Sequence, residues 1–423
     1  MRDRNKLRIT LDTSNNKHNG AESLRRKSGR NVRSRSLGDY FFYFFLVDIL
    51  FLPFPPGLPV TYSVLILPLW MLVEFKKKQK PGDIVKMVIA CVLVIASFAY
   101  ALVVDSIVDM QGSIVNSGLV GYMFVVYLLC SSYLRGSAAN IVLFLKVYIL
   151  FVASFAIVFV ISPAEYFSLR GFWTASGRVI EVEDLTSLTR FTGTLSDPNN
   201  VAIISCAVLA FICFRDPRNI TVNLILFAST AVIVTSAMSV SGFIVFAAVA
   251  LFYFLTVDMT SKRSLNVLLR VLLLGAVAGL VVGTFVVIQD NLVVQLAIDR
   301  AENSSVYSRF SRWLIIFDLE KIFTSILIGD GGVISWRGSS YRPHNGHFHV
   351  FFSFGLIVYL LFISIFLNIK KLRYWKQYFF VLPIFFGFTV NVGIYEPRFA
   401  GVWVLLIASY HVRVQSEAMG LKR

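Results

Sequence analysis

The stretch IVKMVIACVLVIASFAYALVV, residues 84–104, decides the fold class. It carries one early lysine, Lys86, followed by 18 uncharged residues. An α-helix of this length matches the roughly 30 Å hydrocarbon core of a bilayer. Similar runs recur along the 423 residues, of which 57% are hydrophobic and 15% charged. Soluble domains carry about 25% charged residues, so the sequence predicts a polytopic membrane protein.

The apolar runs are uniform and lack the alternation that membrane β-barrel strands show. We therefore expect an all-α polytopic membrane protein with about twelve transmembrane helices. The predicted spans are 40–54, 57–75, 84–104, 113–133, 138–161, 199–214, 219–237, 242–258, 264–289, 345–368, 378–395 and 399–413. The sequence LPFPPGLP at 52–59 predicts either a tight hairpin between two short spans or a re-entrant break.

Basic residues predict the orientation. Residues 1–39 hold eleven Lys/Arg against four Asp/Glu, which predicts a disordered cytoplasmic tail. With twelve spans, every short basic loop and the tail 414–423 fall on the same side as this N-terminus, as the positive-inside rule requires. The basic tail favours contact with anionic lipids over nucleic acid, because no aromatic residues are interleaved with it. The four cysteines are expected to be buried apolar residues.

Two long segments, 162–198 and 290–344, then lie on the opposite, outer side of the membrane. Both carry several arginines, although the positive-inside rule predicts that basic residues concentrate on the cytoplasmic side. Long connections usually carry function. These arginines are therefore candidates for functional residues.

RFTGTLSDPNN, residues 190–200, ends the first outer segment. Asp197 or Asn199 is suited to cap the helix that follows, and Pro198 suits its first turn. A helix start also offers N–H groups and a positive dipole end to an anion. The guanidinium of Arg190, upstream of Gly193, adds a planar fork suited to phosphate. The segment therefore reads either as a capped helix start or as half of an anion site.

SVYSRFSRWLIIFDLEKIF, residues 305–323, lies in the second outer segment. On a helix, Arg309 and Trp313 share a face, and Arg312 lies beside them. The pattern predicts an amphipathic helix at the membrane interface, or a phosphate or sugar site. The two readings are compatible.

YRPHNGHFHVFFSFG, residues 341–355, brings the second outer segment into a span. His344 and Asn345 stand at the membrane mouth, where hydrogen bonding to a sugar or proton transfer is favoured. His347 and His349 are two residues apart and would point to different sides of a helix, so no metal site is expected.

Two charges, Asp48 and Lys146, fall inside predicted spans. Charges at membrane depth are costly and are often functional, but each could equally belong to a structural pair or lie nearer the interface. No nucleotide-binding or dinucleotide motif is present, and we expect no cofactor.

Together these motifs resemble the O-antigen polymerase and ligase superfamily of bacterial membrane proteins. The resemblance rests on Arg190, Gly193, Pro198 and Asn199, then Arg309 and Trp313, then IGDGG at 328–332, and finally His344, Asn345 and Gly355. It covers residues 185–365 best. The family often has Ser-Arg-Gly where this chain reads SVSGF at 239–243, without the arginine.

The resemblance implies a GT-C-like membrane fold and metal-independent, inverting glycosyl transfer at the periplasmic face of the bacterial inner membrane. The donor would be an oligosaccharide on undecaprenyl diphosphate, and the expected product a polymer of lipid-linked repeat units. Catalytic roles would fall to His344, Arg309 and Arg190, with Asp197 as the reserve base. Substrate-binding roles would fall to Arg312, Asn199, Asn345, Asp197, Gly193 and Trp313.

Three other functions stay open. A ligase would move finished glycan onto lipid A-core, and a flippase or transporter would move the lipid-linked glycan across the membrane. A scaffold would recruit partners through the basic tail. Besides the lipid-linked oligosaccharide and membrane lipids, a chain-length regulator and a flippase are expected partners; nucleic acid is not.

Overall fold

The computed structural model describes 36–55, 61–75, 81–104, 107, 109–136, 140–170, 173, 190–195, 197–217, 219–256, separate positions between 267 and 283, 314–341, 343, 345–366, 383, 388 and 396–418. The predicted tail 1–35, and almost all of the predicted spans 264–289 and 378–395, lie outside these residues.

Helices make up most of the described chain. In chain order they are α1 Leu37–Leu50, α2 Tyr62–Phe75, α3 Pro81–Val103, α4 Met110–Gly136, α5 Ile141–Ile161, α6 Pro163–Arg170, α7 Pro198–Arg215, α8 Ile220–Ala237, α9 Val240–Thr256, α10 Leu319–Leu327, α11 Gly346–Phe366 and α12 Pro397–Ala418. A 3₁₀ turn, Leu314–Phe317, precedes α10, and two strands, β1 Ile334–Trp336 and β2 Ser339–Tyr341, follow it.

The described residues contain six helices that are long and apolar enough to cross a membrane: α3, α4, α5, α7, α8 and α11. This confirms an all-α membrane protein at the level of its class. The count of twelve spans stays a prediction.

The first two predicted spans form a short helical hairpin. Helices α1 and α2 have 14 residues each, about 21 Å of helix, which is less than the hydrocarbon core. They run antiparallel: the rings of Phe42 and Phe45 in α1 lie 6.2 and 5.4 Å from that of Trp70, late in α2, while Asp48, late in α1, binds the N–H groups at the start of α2. Residues 56–60 lie outside the described residues, and both predictions for 52–59 stay open.

Helix α7 lies at the centre of the bundle. It packs against α5, α8, α9 and α12, and its residues from Asn200 to Cys213 are all buried. Three of the four cysteines, Cys130, Cys206 and Cys213, are likewise buried. Their expected role as small apolar core residues is confirmed for these three, and Cys91 is half-buried.

The segments between spans contain more structure than the sequence indicated. Helix α1 begins at Leu37, so the tail ends before residue 39. Helix α6 lies within 162–198. The β1–β2 hairpin, paired antiparallel with Ser335 opposite Ser340, lies within 290–344. Within the described part of 305–323 the chain is not one continuous helix, because Asp318 separates the 3₁₀ turn from α10 and caps α10 by accepting a hydrogen bond from the Lys321 N–H.

Helix α11 is broken within its apolar run. At Gly355 the backbone has φ 84° and ψ 171°, so the carbonyls of the preceding turn lose their helical partners. The segment 328–332 supplies replacements. The N–H of Asp330 donates to Phe352 O at 3.0 Å, and the N–H of Gly331 donates to Ser353 O at 2.9 Å. Two separate stretches of chain thus become one packed unit.

Only glycine fits on both sides of this junction. A Cβ at Gly355 would lie 2.7 Å from Leu327 O, and a Cβ at Gly329 would lie 2.2 Å from Phe354 N. Contacts this short with backbone atoms cannot be relieved by rotating a side chain. Close packing against α11 therefore explains Gly329, whereas Gly331 and Gly332 pack against α3 and α4.

We expect Gly355→Ala to destabilise the protein by about 1–3 kcal/mol, because alanine is strained at positive φ and its methyl would meet Leu327 O. The matched control is Gly118→Ala in α4, where an added Cβ meets nothing within 4 Å. The midpoint of unfolding in mixed micelles checks both. Equal midpoints for the two variants would contradict the packing described.

Candidate functional site

Residues 190–200 lie where the ends of several helices meet, and we call this end of the bundle the distal end. Helix α6 anchors the segment, because the Tyr166 hydroxyl accepts hydrogen bonds from the Thr192 and Gly193 N–H groups, both at 3.1 Å. Gly193 has φ +59°, and a Cβ there would lie 3.0 Å from Val201. The glycine therefore serves a tight turn; a role in binding substrate stays a prediction.

Asp197 is the N-cap of α7. Its Oδ1 accepts from the N–H groups of Asn199, at 2.6 Å, and Asn200, at 3.4 Å, and Pro198 takes the first helical position. The sequence prediction of a capped helix start is confirmed. The expectation that these N–H groups face an anion differs from this geometry, because a carboxylate already binds them.

Arg190 binds the end of a neighbouring helix. Its Nε donates to Ala237 O at 2.9 Å, and its Nη2 donates to Met238 O at 2.9 Å and to Asn199 Oδ1 at 3.3 Å. These carbonyls end α8, where Met238 is in the left-handed conformation with φ 47°. A cation is favourable at a helix C-terminus. Arg190 thus joins the break between α8 and α9 to the start of α7.

SVSGF, at 239–243, completes this junction. The Ser239 hydroxyl donates to Asn199 Oδ1 at 2.8 Å and accepts from the Gly242 N–H at 3.0 Å. Asn199 therefore accepts from both Arg190 and Ser239. The structure brings Arg190, Asp197 and Asn199 together, in contacts that organise the backbone.

A buried charged group lies directly behind this segment. Arg398, at the start of α12, is 1% exposed. Its Nη1 donates to Thr194 O at 2.8 Å, its Nη2 donates to Leu52 O, and its guanidinium lies 4.2 Å from the Phe54 ring centroid. Beside it, Glu396 Oε2 accepts from Asn200 Nδ2 at 2.9 Å.

Asp48 belongs to the same group. It is fully buried in α1, and its carboxylate accepts from the Tyr62 and Ser63 N–H groups at 3.3 and 2.5 Å, which caps α2. It also interacts electrostatically with Arg398. Of the two possibilities left open by the sequence, these contacts give Asp48 a structural partner.

Lys146 lies at the opposite end of the bundle. Its Nζ is 2.9 Å from Asp216 Oδ2, at the end of α7. Lys146 is only five residues past the start of α5, so the pair lies near one end of both helices. This charge is likewise paired.

The glycine-rich segment is held from three sides. The Gly332 carbonyl accepts from Asn116 Nδ2 of α4 at 3.0 Å and lies 3.1 Å from His349 Nε2. Ser353 Oγ lies 2.8 Å from the same nitrogen, and Ser97 of α3 donates to Gly329 O at 3.2 Å.

Asn345 is the cap of α11. Its Oδ1 accepts from the His347 and Phe348 N–H groups at 2.9 and 3.2 Å. His347 faces Phe388, with ring centroids 4.8 Å apart, whereas His349 faces Gly332. The prediction that the two histidines point to different sides is confirmed. Among the described residues no group of three or more His, Cys, Asp or Glu could hold a metal ion.

Two aspartates hold α10 to its surroundings. The hydrogen bond from the Trp336 indole to Asp318, at 2.8 Å, is the main cause that lowers the pKa of this carboxyl. Asp330 binds Lys321 Nζ through both oxygens, at 2.7 and 2.6 Å. Burial nevertheless raises the pKa of Asp330, with Lys321 opposing that effect.

Four predicted site residues, His344, Arg309, Arg312 and Trp313, lie outside the described residues, and their roles stay predictions. Conversely, sequence reasoning missed the roles of Arg398, Glu396 and Asn200. The available signal was YEPRF at 395–399, in which opposite charges stand two residues apart at the start of an apolar run.

Comparisons with protein-family models, with curated proteins and with solved structures found no match. The functional argument therefore rests on the residues. At the distal end they provide a rigid polar frame of capped helix ends and buried charges, and next to the break in α11 they provide a second frame that begins one residue after His344.

We expect Arg190→Lys to destabilise the protein by about 2 kcal/mol, because an ammonium cannot reproduce charged hydrogen bonds from Nε and Nη2 together. Arg337→Lys is the matched control, since its side chain is exposed and lies over the Trp336 ring, 4.6 Å from the centroid. Unfolding midpoints check the pair. Equal midpoints would show that Arg190 does not hold the helix ends.

We expect the segment 314–341 to lose protection from hydrogen exchange as pH falls below about 4, the ordinary pKa of an unfolded aspartate. The folded pKa of Asp318 is lowered, so its stabilising contribution is present above the unfolded pKa and is lost as pH falls through the folded pKa. The pKa of Asp330 is raised, so its contribution to stability increases as pH falls. Asp318→Asn should reduce the acid-dependent loss, measured after correction for intrinsic exchange rates. Identical pH profiles in the two proteins would contradict it.

Proposed function

We propose that this protein is a polymerase of lipid-linked oligosaccharide repeat units, of the kind that build exopolysaccharide, capsule or O-antigen. In this proposal it works at the outer face of the bacterial inner membrane, with both termini in the cytoplasm. The donor is a glycan on undecaprenyl diphosphate, and the acceptor is a hydroxyl of a second lipid-linked glycan.

One observation carries the proposal. IGDGG at 328–332 fits into the break of α11 at Gly355, and α11 is the helix that follows His344–Asn345. Two of the motifs on which the family resemblance rests are therefore parts of one packed unit. Another of the four motifs, RFTGTLSDPNN, lies at a junction of helix ends that also contains three buried charged residues.

The chemistry of the proposed reaction needs few groups. The acceptor oxygen forms a bond to the anomeric carbon of the donor, while the bond from that carbon to the diphosphate oxygen breaks. Undecaprenyl diphosphate leaves with the electron pair, and the configuration inverts. The hydroxyl proton passes to a general base, and cationic groups neutralise the leaving diphosphate.

The contacts of the described residues refine the proposed roles. Arg190 becomes a positioning residue, because its Nε and Nη2 bind carbonyls at the end of α8. Asp197 becomes a weaker candidate base, because its Oδ1 already accepts two hydrogen bonds. Arg309 and Arg312 are left as the arginines proposed to bind diphosphate, and His344 as the proposed base.

The test is polymer growth by purified protein in liposomes that contain only lipid-linked repeat units. Removing an electrostatic donor lowers such rates by about 10²–10³, and removing a general base lowers them by about 10²–10⁴. We expect losses of this size for Arg309→Ala and His344→Ala. The matched controls are Arg337→Ala, an exposed arginine of the same outer segment, and His18→Ala in the tail.

The alternatives give different outcomes in the same liposomes. A ligase needs added lipid A-core and makes no polymer without it, so absence of chain growth from repeat units alone would sink the proposal. If the protein were a flippase, Arg309→Ala would impair translocation of fluorescent lipid-linked glycan, and retained translocation with lost polymer would exclude that function. Translocation that is lost together with polymer in this variant would favour a transporter.

A further inference from the structure

Helix α10 exposes an apolar ridge to its surroundings. Leu319, Phe323 and Leu327 recur every four residues, so they align along one side, and they are 66%, 70% and 73% exposed. Phe317, in the turn just before α10, is 75% exposed. Large side chains this exposed form an unusual surface in water, where apolar patches are normally small or functional.

The other sides of α10 are different. Toward α11 it presents the buried Ser325 and the half-buried Ile322. Its one described lysine, Lys321, is paired with Asp330. The exposed Glu320 and Thr324 flank the ridge on the remaining side. Helix α10 thus has a protein-facing side, an apolar side and a polar side.

The depth of α10 in the membrane follows from its contact with α11, which is one of the helices able to cross a membrane. Gly355 lies nine residues after Gly346, about 14 Å along the helix, which is close to half of the roughly 30 Å hydrocarbon core. A Cβ at Gly355 would lie only 2.7 Å from Leu327 O. The end of α10 therefore lies beside the middle of a membrane-crossing helix.

Other exposed apolar side chains lie close to the ridge. Gly331 abuts Ala101 and Phe98 of α3, and the next residues of α3, Leu102 and Val103, are 44% and 84% exposed. On α11, the exposed Ile357 lies two residues after Gly355, which packs against Leu327. The ridge and these side chains form one apolar exterior.

The non-helical backbone beside α10 has the hydrogen bonds that backbone inside a membrane needs. Irregular backbone at membrane depth is tolerated only where protein contacts satisfy it. Within 328–332, the N–H groups of Asp330 and Gly331 donate to α11, and the carbonyls of Gly329 and Gly332 accept from side chains of α3 and α4. Asp330 and Lys321 neutralise each other.

From these observations we propose that residues 317–332 form a re-entrant segment, whose apolar ridge contacts the acyl chains of the leaflet into which α11 begins. The occupant of the ridge is membrane lipid. The β1–β2 hairpin that follows returns the chain to water, with Ser339 and Ser340 exposed. Part of the second outer segment, 290–344, then lies inside the membrane. This proposal is independent of the one for glycosyl transfer.

Nitroxide labels on the full-length protein in liposomes test this placement. Single cysteines replace Phe323, Leu327, Glu320, Ile357 and Ser340 in a Cys91→Ala background, since Cys130, Cys206 and Cys213 are buried. Each label is scored by its collision rate with oxygen, which concentrates in lipid, relative to a water-soluble nickel chelate. Ile357 is the control for lipid, and Ser340 is the control for water.

We expect labels at Phe323 and Leu327 to prefer oxygen, as at Ile357, and the label at Glu320 to prefer nickel more than the label at Phe323 does. Nickel preference at either Phe323 or Leu327, equal to that at Ser340, would overturn the proposal. Monodisperse elution and an unchanged unfolding midpoint show that each labelled variant is folded.

Discussion

The structure depends on one constraint: a backbone polar group at membrane depth must find its partner within the protein. Helix α11 breaks at Gly355, and the carbonyls of Phe352 and Ser353 would be left without partners in a simple bent helix. The backbone of 330–331 supplies them. Because that exchange requires close approach, it accounts for Gly329 and Gly355, and it sets the position of α10.

Charge follows the same logic at the ends of the bundle. Arg190, Asp48 and Asp197 bind the backbone at helix ends, where unsatisfied carbonyls or N–H groups concentrate. Arg398 adds contacts to two loop carbonyls, Thr194 O and Leu52 O. A buried charge in this position is solvated by the peptide dipoles that most need a partner. The charges thereby hold separate stretches of chain in fixed register without opening the apolar core to water.

This arrangement changes how the polar residues relate to function. A residue such as Arg190 has the chemistry of an anion ligand, yet its described contacts make it part of the frame. In the proposed polymerase, the frame would hold the loops that carry His344 and Arg309 at the membrane surface. The reacting groups would then be few, and their placement would depend on residues that never touch substrate.

Local features were predictable from the sequence. Asp197 followed by Pro198 specifies a helix start through local contacts, because the Asp197 carboxylate accepts from the first N–H groups and Pro198 fits the first turn. Residues two apart, such as His347 and His349, diverge on any helix. Periodicity did not indicate the interruption at Asp318, which accepts hydrogen bonds from the Lys321 N–H and from the Trp336 indole, 18 residues away.

The sequence by itself determined the class of the protein, because long uncharged runs leave few alternatives to membrane helices, and it determined the caps, which depend on neighbouring residues. Only the tertiary structure decided the partners of Asp48, Lys146 and Arg398, the break in α11 and the packing of 328–332 against it. Those depend on contacts between residues far apart in the chain, for which one sequence carries no local signal.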